Sequence, residues 1–197
     1  WLIVGGIFSA LEPLAFLAMA LFAVYMYRKG EKSHPNKIAL FWTIGASIVS
    51  FVGAGLLGFA HTLPQTNLYT HGTLVTAMHG HYAFWGAYAM IVLAIISYAL
   101  PNLTGRKRYN NTSGHMAFWL SNVGMLGMTV AFGVAGVAQV YLERKMKLDF
   151  MDVQNEIAIH FVVLLLCATL FTTGITLFII EFIKYGKPTD EALVKEE

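Results

Sequence analysis

The third long apolar stretch of the chain reads HGTLVTAMHGHYAFWGAYAMIVLAIISYAL, residues 71–100. A helix needs about 20 apolar residues to cross a bilayer, so this stretch is long enough. Two imidazoles, His79 and His81, lie in it with only Gly80 between them. Polar side chains at this depth are costly and tend to be functional. The stretch therefore predicts a membrane helix that carries a functional histidine pair.

A helix turns about 100° per residue, so His79 and His81 should point about 200° apart. They cannot easily bind one metal, but they can bind two metals on opposite sides of the helix. Gly80 removes a side chain where two flat macrocycles would crowd the backbone, and imidazole is a common axial ligand of haem iron. We predict one haem on each histidine. The alternative is that both histidines only hydrogen-bond to neighbouring helices.

The rest of the chain fits an all-α, polytopic transmembrane bundle. Hydrophobic residues make up 57% and charged residues only 12%, about half the usual charged share of roughly 25%. Short connections imply antiparallel neighbours, and glycines in the second and fourth stretches favour close packing. Residues 1–184 are expected to form the haem-binding bundle, and 185–197 a polar cytoplasmic tail. The predicted spans are residues 1–27, 38–60, 71–100, 115–142 and 157–182.

The basic residues predict the orientation, because cytoplasmic loops of membrane proteins are rich in Lys and Arg. One side would hold Arg28, Lys29, Lys32, Lys37, Arg106, Lys107, Arg108, Lys184, Lys187 and Lys195; the other would hold only Arg144, Lys145 and Lys147. We expect the first side, with the C-terminus, to face the cytoplasm. The loop 143–155 is then either a docking surface for an outer partner or an ordinary solvated loop.

Several classes of protein are excluded or disfavoured. The net charge of +2, without a basic cluster, argues against nucleic acid as a partner. The single cysteine, Cys167, cannot form an internal disulfide.

The chain begins Trp-Leu-Ile-Val, without Met or a basic n-region. We expect it to be the later part of a longer polypeptide, or a chain paired with one.

Glu12 lies in the middle of the first apolar stretch, where a carboxyl must be neutral, paired or hydrated. Pro13 cannot donate a backbone hydrogen bond, so the carbonyl of Ser9 is left free. This predicts a kinked polar pocket suited to a proton relay. The alternative is a protonated Glu12 that bonds to another helix for packing.

The other histidines lie near predicted helix ends. His61, which precedes Thr62, and His71 would lie on the outer side, where each could meet haem propionates or cap a helix. The remaining three are interpreted as interfacial: His34, His115 and His160.

Seven segments together resemble the large catalytic (cytochrome b) subunit of bacterial cytochrome-c-dependent nitric oxide reductase, in the haem–copper oxidase superfamily. The likeness covers almost the whole chain and is strongest over residues 5–101. The segments are GGIFSALEPL (5–14), GAG (53–55), GFAHT (58–62), YTHGT (69–73), HGH (79–81), GAYAMI (86–91) and IISYALP (95–101).

The resemblance implies the last five of twelve helices and a set of site residues. His79 would bind the iron of a high-spin haem b, and His81 that of a low-spin haem b. Glu12 would help to deliver protons, with Ser9 and Thr62 near it through hydrogen bonding. His71 would lie near haem propionates, where the family context also admits calcium.

The chain departs from the family pattern in one respect. It has no His-His pair, so the three histidines and the glutamate that hold the family's non-haem iron must come from outside it. They would come from the remaining N-terminal helices of the same subunit or from a separate chain. The assembled enzyme would reduce two NO to nitrous oxide and water, with electrons from a cytochrome c subunit.

Other functions remain open from the residues alone. An oxygen-reducing terminal oxidase would hold copper beside the high-spin haem. A quinol-fed or NO-dismutating relative would differ in residues outside this chain. From another class, a non-catalytic membrane cytochrome b would bind two low-spin haems, and a transporter none.

Overall fold

A computed structural model describes residues 2–30, 36–105 and 110–185. Within these ranges the chain has helices and no strand, which confirms the all-α fold. Five described helices are long and apolar enough to cross a membrane, which confirms the predicted number of spans. They are Ile3–Lys29, Lys37–Thr62, Leu74–Leu103, Asn111–Lys145 and Ala158–Lys184. His34 and most of the predicted tail lie outside the described residues.

Several spans are composite. The described α-helices are α1 (Leu2–Ser9), α2 (Glu12–Lys29), α3 (Lys37–Ser50), α4 (Leu57–Thr62), α5 (Pro64–Thr70), α6 (Leu74–Phe84), α7 (Met90–Thr104), α8 (Asn111–Val140), α9 (Phe150–Glu156) and α10 (Ala158–Tyr185). Three π-helical segments join or extend them: Phe51–Leu56, Trp85–Ala89 and Tyr141–Lys145.

Capping side chains explain where two spans begin. The fourth span begins at Asn111, earlier than predicted, because the side chain of Asn110 accepts a hydrogen bond from the first turn. The prediction that His71 opens the third helix is wrong. That helix begins at Leu74, because Thr73 is its N-cap, and His71 instead ends α5.

Two segments predicted as loops contain short helices. Residues 61–70 include α5, which begins at Pro64; proline suits the first helical turn because its missing N–H needs no partner there. Residues 143–155 include the end of the third π-helical segment and most of α9. Asp152 in the first turn of α9 interacts favourably with the positive end of the helix dipole.

Pro101 was expected in the connection after the third span, but it lies inside α7. Proline lacks an N–H and leaves the carbonyl four residues earlier, that of Ser97, without its helical donor. The side chain of Asn36 donates a hydrogen bond to this Ser97 oxygen at 2.7 Å. The second span therefore satisfies the backbone group that Pro101 leaves free, and the helix continues to Thr104.

Glycines set how closely the spans approach. A methyl group on Gly53 would lie 2.7 Å from the carbonyl carbon of Tyr82, and one on Gly86 would lie 2.6 Å from the backbone nitrogen of Ser50. Neither distance is sterically possible without movement of the backbone. The second and third spans therefore touch backbone to backbone, as small residues allow in membrane helices.

An aromatic cluster joins four of the spans. The fully buried Trp42 meets the rings of Trp85, Phe118 and Phe178 edge to face, at centroid distances of 6.1, 5.1 and 5.8 Å. This geometry is favoured by the ring quadrupoles. The cluster holds the second to fifth spans together and so supports the helices that carry the candidate site.

Candidate haem-ligand site

The half-buried imidazole of His79 is held by a neighbouring span. Its Nδ1 lies 3.0 Å from the carbonyl oxygen of Gly53, which is 26 positions away in the chain. A carbonyl oxygen only accepts, so Nδ1 carries the proton and donates it. Nε2 of the neutral ring therefore keeps a free lone pair. Metal-ligating histidines commonly have this arrangement, with the other ring N–H donated to a carbonyl or carboxylate.

The π-helical segment Phe51–Leu56 supplies that carbonyl. In a π-helix the hydrogen-bonding pattern shifts to i→i+5, and such turns occur frequently at functional sites. Gly53 lies in this segment, where its lack of a side chain permits the close approach to the third span. The π-helical backbone of the second span therefore helps to set the position of the His79 ring.

The side chains of Glu12 and His79 both approach Gly58. A methyl group on Gly58 would lie 3.3 Å from Cε1 of His79 and 3.9 Å from Oε2 of Glu12. Both side chains therefore reach within 4 Å of one point above Gly58. The first, second and third spans converge there, and the site contains an imidazole and a carboxyl.

The first span is interrupted beside this point. Helix α1 ends at Ser9 and α2 begins at Glu12, with a turn at residues 10 and 11. Pro13 follows Glu12 and cannot donate to the Ser9 carbonyl, so the predicted break in the helix occurs. The Ser9 carbonyl therefore lacks its usual helical donor, the N–H of residue 13.

Thr62 does not bond to Glu12. Its hydroxyl donates to the carbonyl of Phe59 at 2.8 Å, within its own helix. A methyl group on Gly6 would lie 3.4 Å from the Thr62 carbonyl oxygen, so α1 packs on the end of α4. Among the described residues no hydrogen bond joins Ser9 or Thr62 to Glu12, in contrast to what the resemblance implies.

His61 forms part of the site, although its position beside His79 was not predicted. Its ring stacks on that of His79, with centroids 5.1 Å apart and an interplanar angle of 25°. Its Nδ1 lies 3.0 Å from the carbonyl oxygen of Leu57. The spacing of Gly58 and His61, three positions apart on α4, places them on one face and could have indicated this contact.

His81 contacts a different span. Its ring lies against Phe132 of α8, with centroids 4.9 Å apart, and its Nδ1 bonds to the carbonyl of Ala77 at 2.8 Å. The side chain is exposed, and a methyl group on Gly80 would meet nothing within 4 Å. His79 and His81 thus face different neighbours, as their spacing requires, with open space beside the glycine between them.

The remaining described histidines lie away from this pair. His71 is exposed at the end of α5. His115 lies one turn inside α8, where its ring packs edge-on against Phe41, rather than at the helix end. His160 is in the first turn of α10, near the predicted interface, and bonds to the carbonyl of Ile157 at 3.1 Å.

The histidines of this chain are better suited to binding haem than to forming a complete site for a bare metal ion. In the described ranges no three His, Cys, Asp or Glu side chains gather closely enough to hold a metal ion. His79 and His81 each offer one imidazole nitrogen, with the other nitrogen bonded to a backbone carbonyl. A single imidazole is enough to hold a haem iron, so each histidine can hold one haem.

Residues 1–170 match the family described as Cytochrome C and Quinol oxidase polypeptide I. The chain is also similar to one subunit of the nitric oxide reductase of Stutzerimonas stutzeri, with 42% identity over 195 residues. The match covers 95% of this chain and 41% of that relative. The five apolar spans and the family match together indicate a multi-pass membrane protein. The chain therefore belongs to the Cytochrome C and Quinol oxidase polypeptide I family.

Proposed function

We propose that this chain is the haem-binding part of a membrane nitric oxide reductase, which catalyses 2 NO + 2 H⁺ + 2 e⁻ → N2O + H2O. The observation that carries the proposal is the hydrogen bond from His79 to Gly53, which leaves Nε2 free as a ligand. The 42% sequence identity to a nitric oxide reductase subunit supports nitric oxide as the substrate.

His79 would bind a high-spin haem b, and His81 a low-spin haem b. When bound, the haems carry electrons to the place where NO is reduced, beside a non-haem iron. The ligands of that iron would come from further helices of the same subunit or from a separate chain. His71 at the outer end of α5 would lie towards the haem propionates, where a calcium ion could also bind.

The chain's own residues would orient the ligand and supply protons. The Gly53 carbonyl fixes the ring of His79 and, by accepting a hydrogen bond from its Nδ1, increases the electron density at Nε2. Glu12 would hold a proton on its carboxyl beside the site and release it inward during turnover. The break in the first span would admit water to restore that proton.

The orientation and partners follow from the charge pattern. We place the C-terminus in the cytoplasm, because ten of the thirteen Lys and Arg residues are predicted on that side, although Lys32, Arg106, Lys107, Arg108, Lys187 and Lys195 lie outside the described residues. The similarity to a bacterial reductase subunit supports a bacterial inner membrane. A cytochrome c subunit would dock on the outer side, where residues 143–155 carry three acidic and three basic side chains. Lipid surrounds the spans; no nucleic acid is expected.

A second candidate is an oxygen-reducing oxidase, because the matched family is named for oxidases. Metal analysis of the purified complex separates the two. We expect two haems b and one non-haem iron per complex, copper well below that amount, and N2O formed from NO. Stoichiometric copper without non-haem iron would support the oxidase. Two six-coordinate haems without turnover would support an electron carrier.

Glu12→Gln tests the proton relay. We expect NO turnover to fall at least about tenfold, because general acid–base groups typically contribute about 100-fold or more. Haem content should stay normal, since Glu12 is not a ligand. Glu181→Gln is the matched control: Glu181 is a buried carboxyl in the fifth span, outside the site, and turnover should be unchanged. Normal turnover in Glu12→Gln would exclude the relay.

A further inference from the structure

His61 has three properties that its position at the end of a helix does not require. Its ring stacks on that of His79, with centroids 5.1 Å apart. Its Nδ1 is held by the carbonyl of Leu57. Its Nε2 is buried and has no hydrogen-bond partner among the described residues.

We infer that His61 is a positioning residue, whose flat ring fixes the plane of the His79 imidazole. This inference rests on the proposed role of His79 as a haem ligand. His61 would act only through His79 and would not touch the reacting atoms.

Two contacts are needed to hold an imidazole ring in one plane. The hydrogen bond from Nδ1 of His79 to Gly53 fixes one atom of the ring. The ring could still tilt about the line that joins Nδ1 to the carbonyl oxygen. The face of His61, at an interplanar angle of 25°, blocks that tilt on one side. Near-parallel, offset rings attract each other, so the blocked arrangement is also the favoured one.

The ring of His61 is anchored at one nitrogen by its own helix. Because the Leu57 carbonyl only accepts, Nδ1 of His61 carries a proton and donates the hydrogen bond. The second nitrogen, Nε2, makes no hydrogen bond among the described residues. The face of the ring is left to contact His79.

Two substitutions separate the ring from its nitrogen atoms. His61→Phe keeps a flat ring and removes both nitrogens. His61→Asn keeps a polar atom near the position of Nδ1 and removes the ring. If stacking positions His79, the phenylalanine variant should resemble the parent and the asparagine variant should not.

The measurement is the iron–imidazole stretching band of the reduced high-spin haem, recorded by resonance Raman spectroscopy on the whole complex. We expect His61→Phe to keep the position and width of the parent band. We expect His61→Asn to broaden it and shift it to lower frequency, because a freely tilting ligand binds iron less uniformly. An unchanged band in His61→Asn, or equal shifts in both variants, would overturn the inference.

The low-spin haem on the opposite face of the third span is an internal control for folding. Its optical signal should stay at the parent level in both variants. If His61→Asn does not assemble, His61→Leu provides a similar volume without a flat face and should give the same broadened band. A band that persists in His79→Ala would instead refute the proposed ligand, whatever the His61 variants show.

Discussion

Replacing His79 by alanine is expected to remove the high-spin haem and to lower NO turnover by more than about 100-fold. Loss of a residue that only orients a metal ligand typically costs 10- to 100-fold, so loss of the ligand should cost more. No other described imidazole is placed to take over directly: that of His61 belongs to a different span and stacks on the face of the His79 ring, with centroids 5.1 Å apart. The optical spectrum and the haem content per complex measure the effect.

The low-spin haem should remain in His79→Ala, because His81 contacts a different span. His115→Ala is a suitable control, since His115 also packs against an aromatic ring but lies in another helix. It should keep both haems and parent turnover. Full retention of the high-spin haem in His79→Ala would show that the ligand is another residue.

Replacing His81 by alanine should give the reciprocal result. The low-spin haem is expected to be lost and the high-spin haem retained, with turnover again reduced more than about 100-fold when electrons come from the protein donor. The reason is that electrons would no longer reach the site at a useful rate. The optical spectrum of the reduced protein distinguishes the two haems, and haem extraction gives their total number.

His160→Ala is the matched control for this variant. Like His81, His160 bonds through Nδ1 to a carbonyl of the preceding turn, so this hydrogen bond alone does not mark a ligand. His160→Ala should retain both haems. If His81→Ala retained the low-spin haem, the assignment of this face would be wrong.

The number and nature of the spans could be predicted because apolar runs report directly on the need to bury side chains in lipid. The predicted ends of the spans were less accurate, because single side chains decide where a helix begins or ends. Asn110 starts the fourth span before the apolar run begins. Pro101 suggested a helix end, yet a distant donor, Asn36, satisfies the backbone group that the proline leaves free. Contacts of this kind between helices are not visible in local sequence.

The candidate site, too, could be predicted only in part. The opposite faces of His79 and His81 follow from the helical repeat alone. The partner of His79 could not be predicted, because it is a main-chain oxygen in a π-helical segment of another span. The stacking of His61 depends on the relative rotation of two helices, which residue types along one chain do not specify.

The main-chain acceptor at Gly53 has a consequence for how the protein can change over time. A side-chain acceptor can be lost by one point mutation, whereas a peptide oxygen is present whatever residue occupies the position. A mutation there can only displace it, and the steric conflict with Tyr82 means that almost any displacement would separate two spans. Point mutations that adjust the basicity of the ligand gradually therefore have to act on groups around the ring, and not on the acceptor itself.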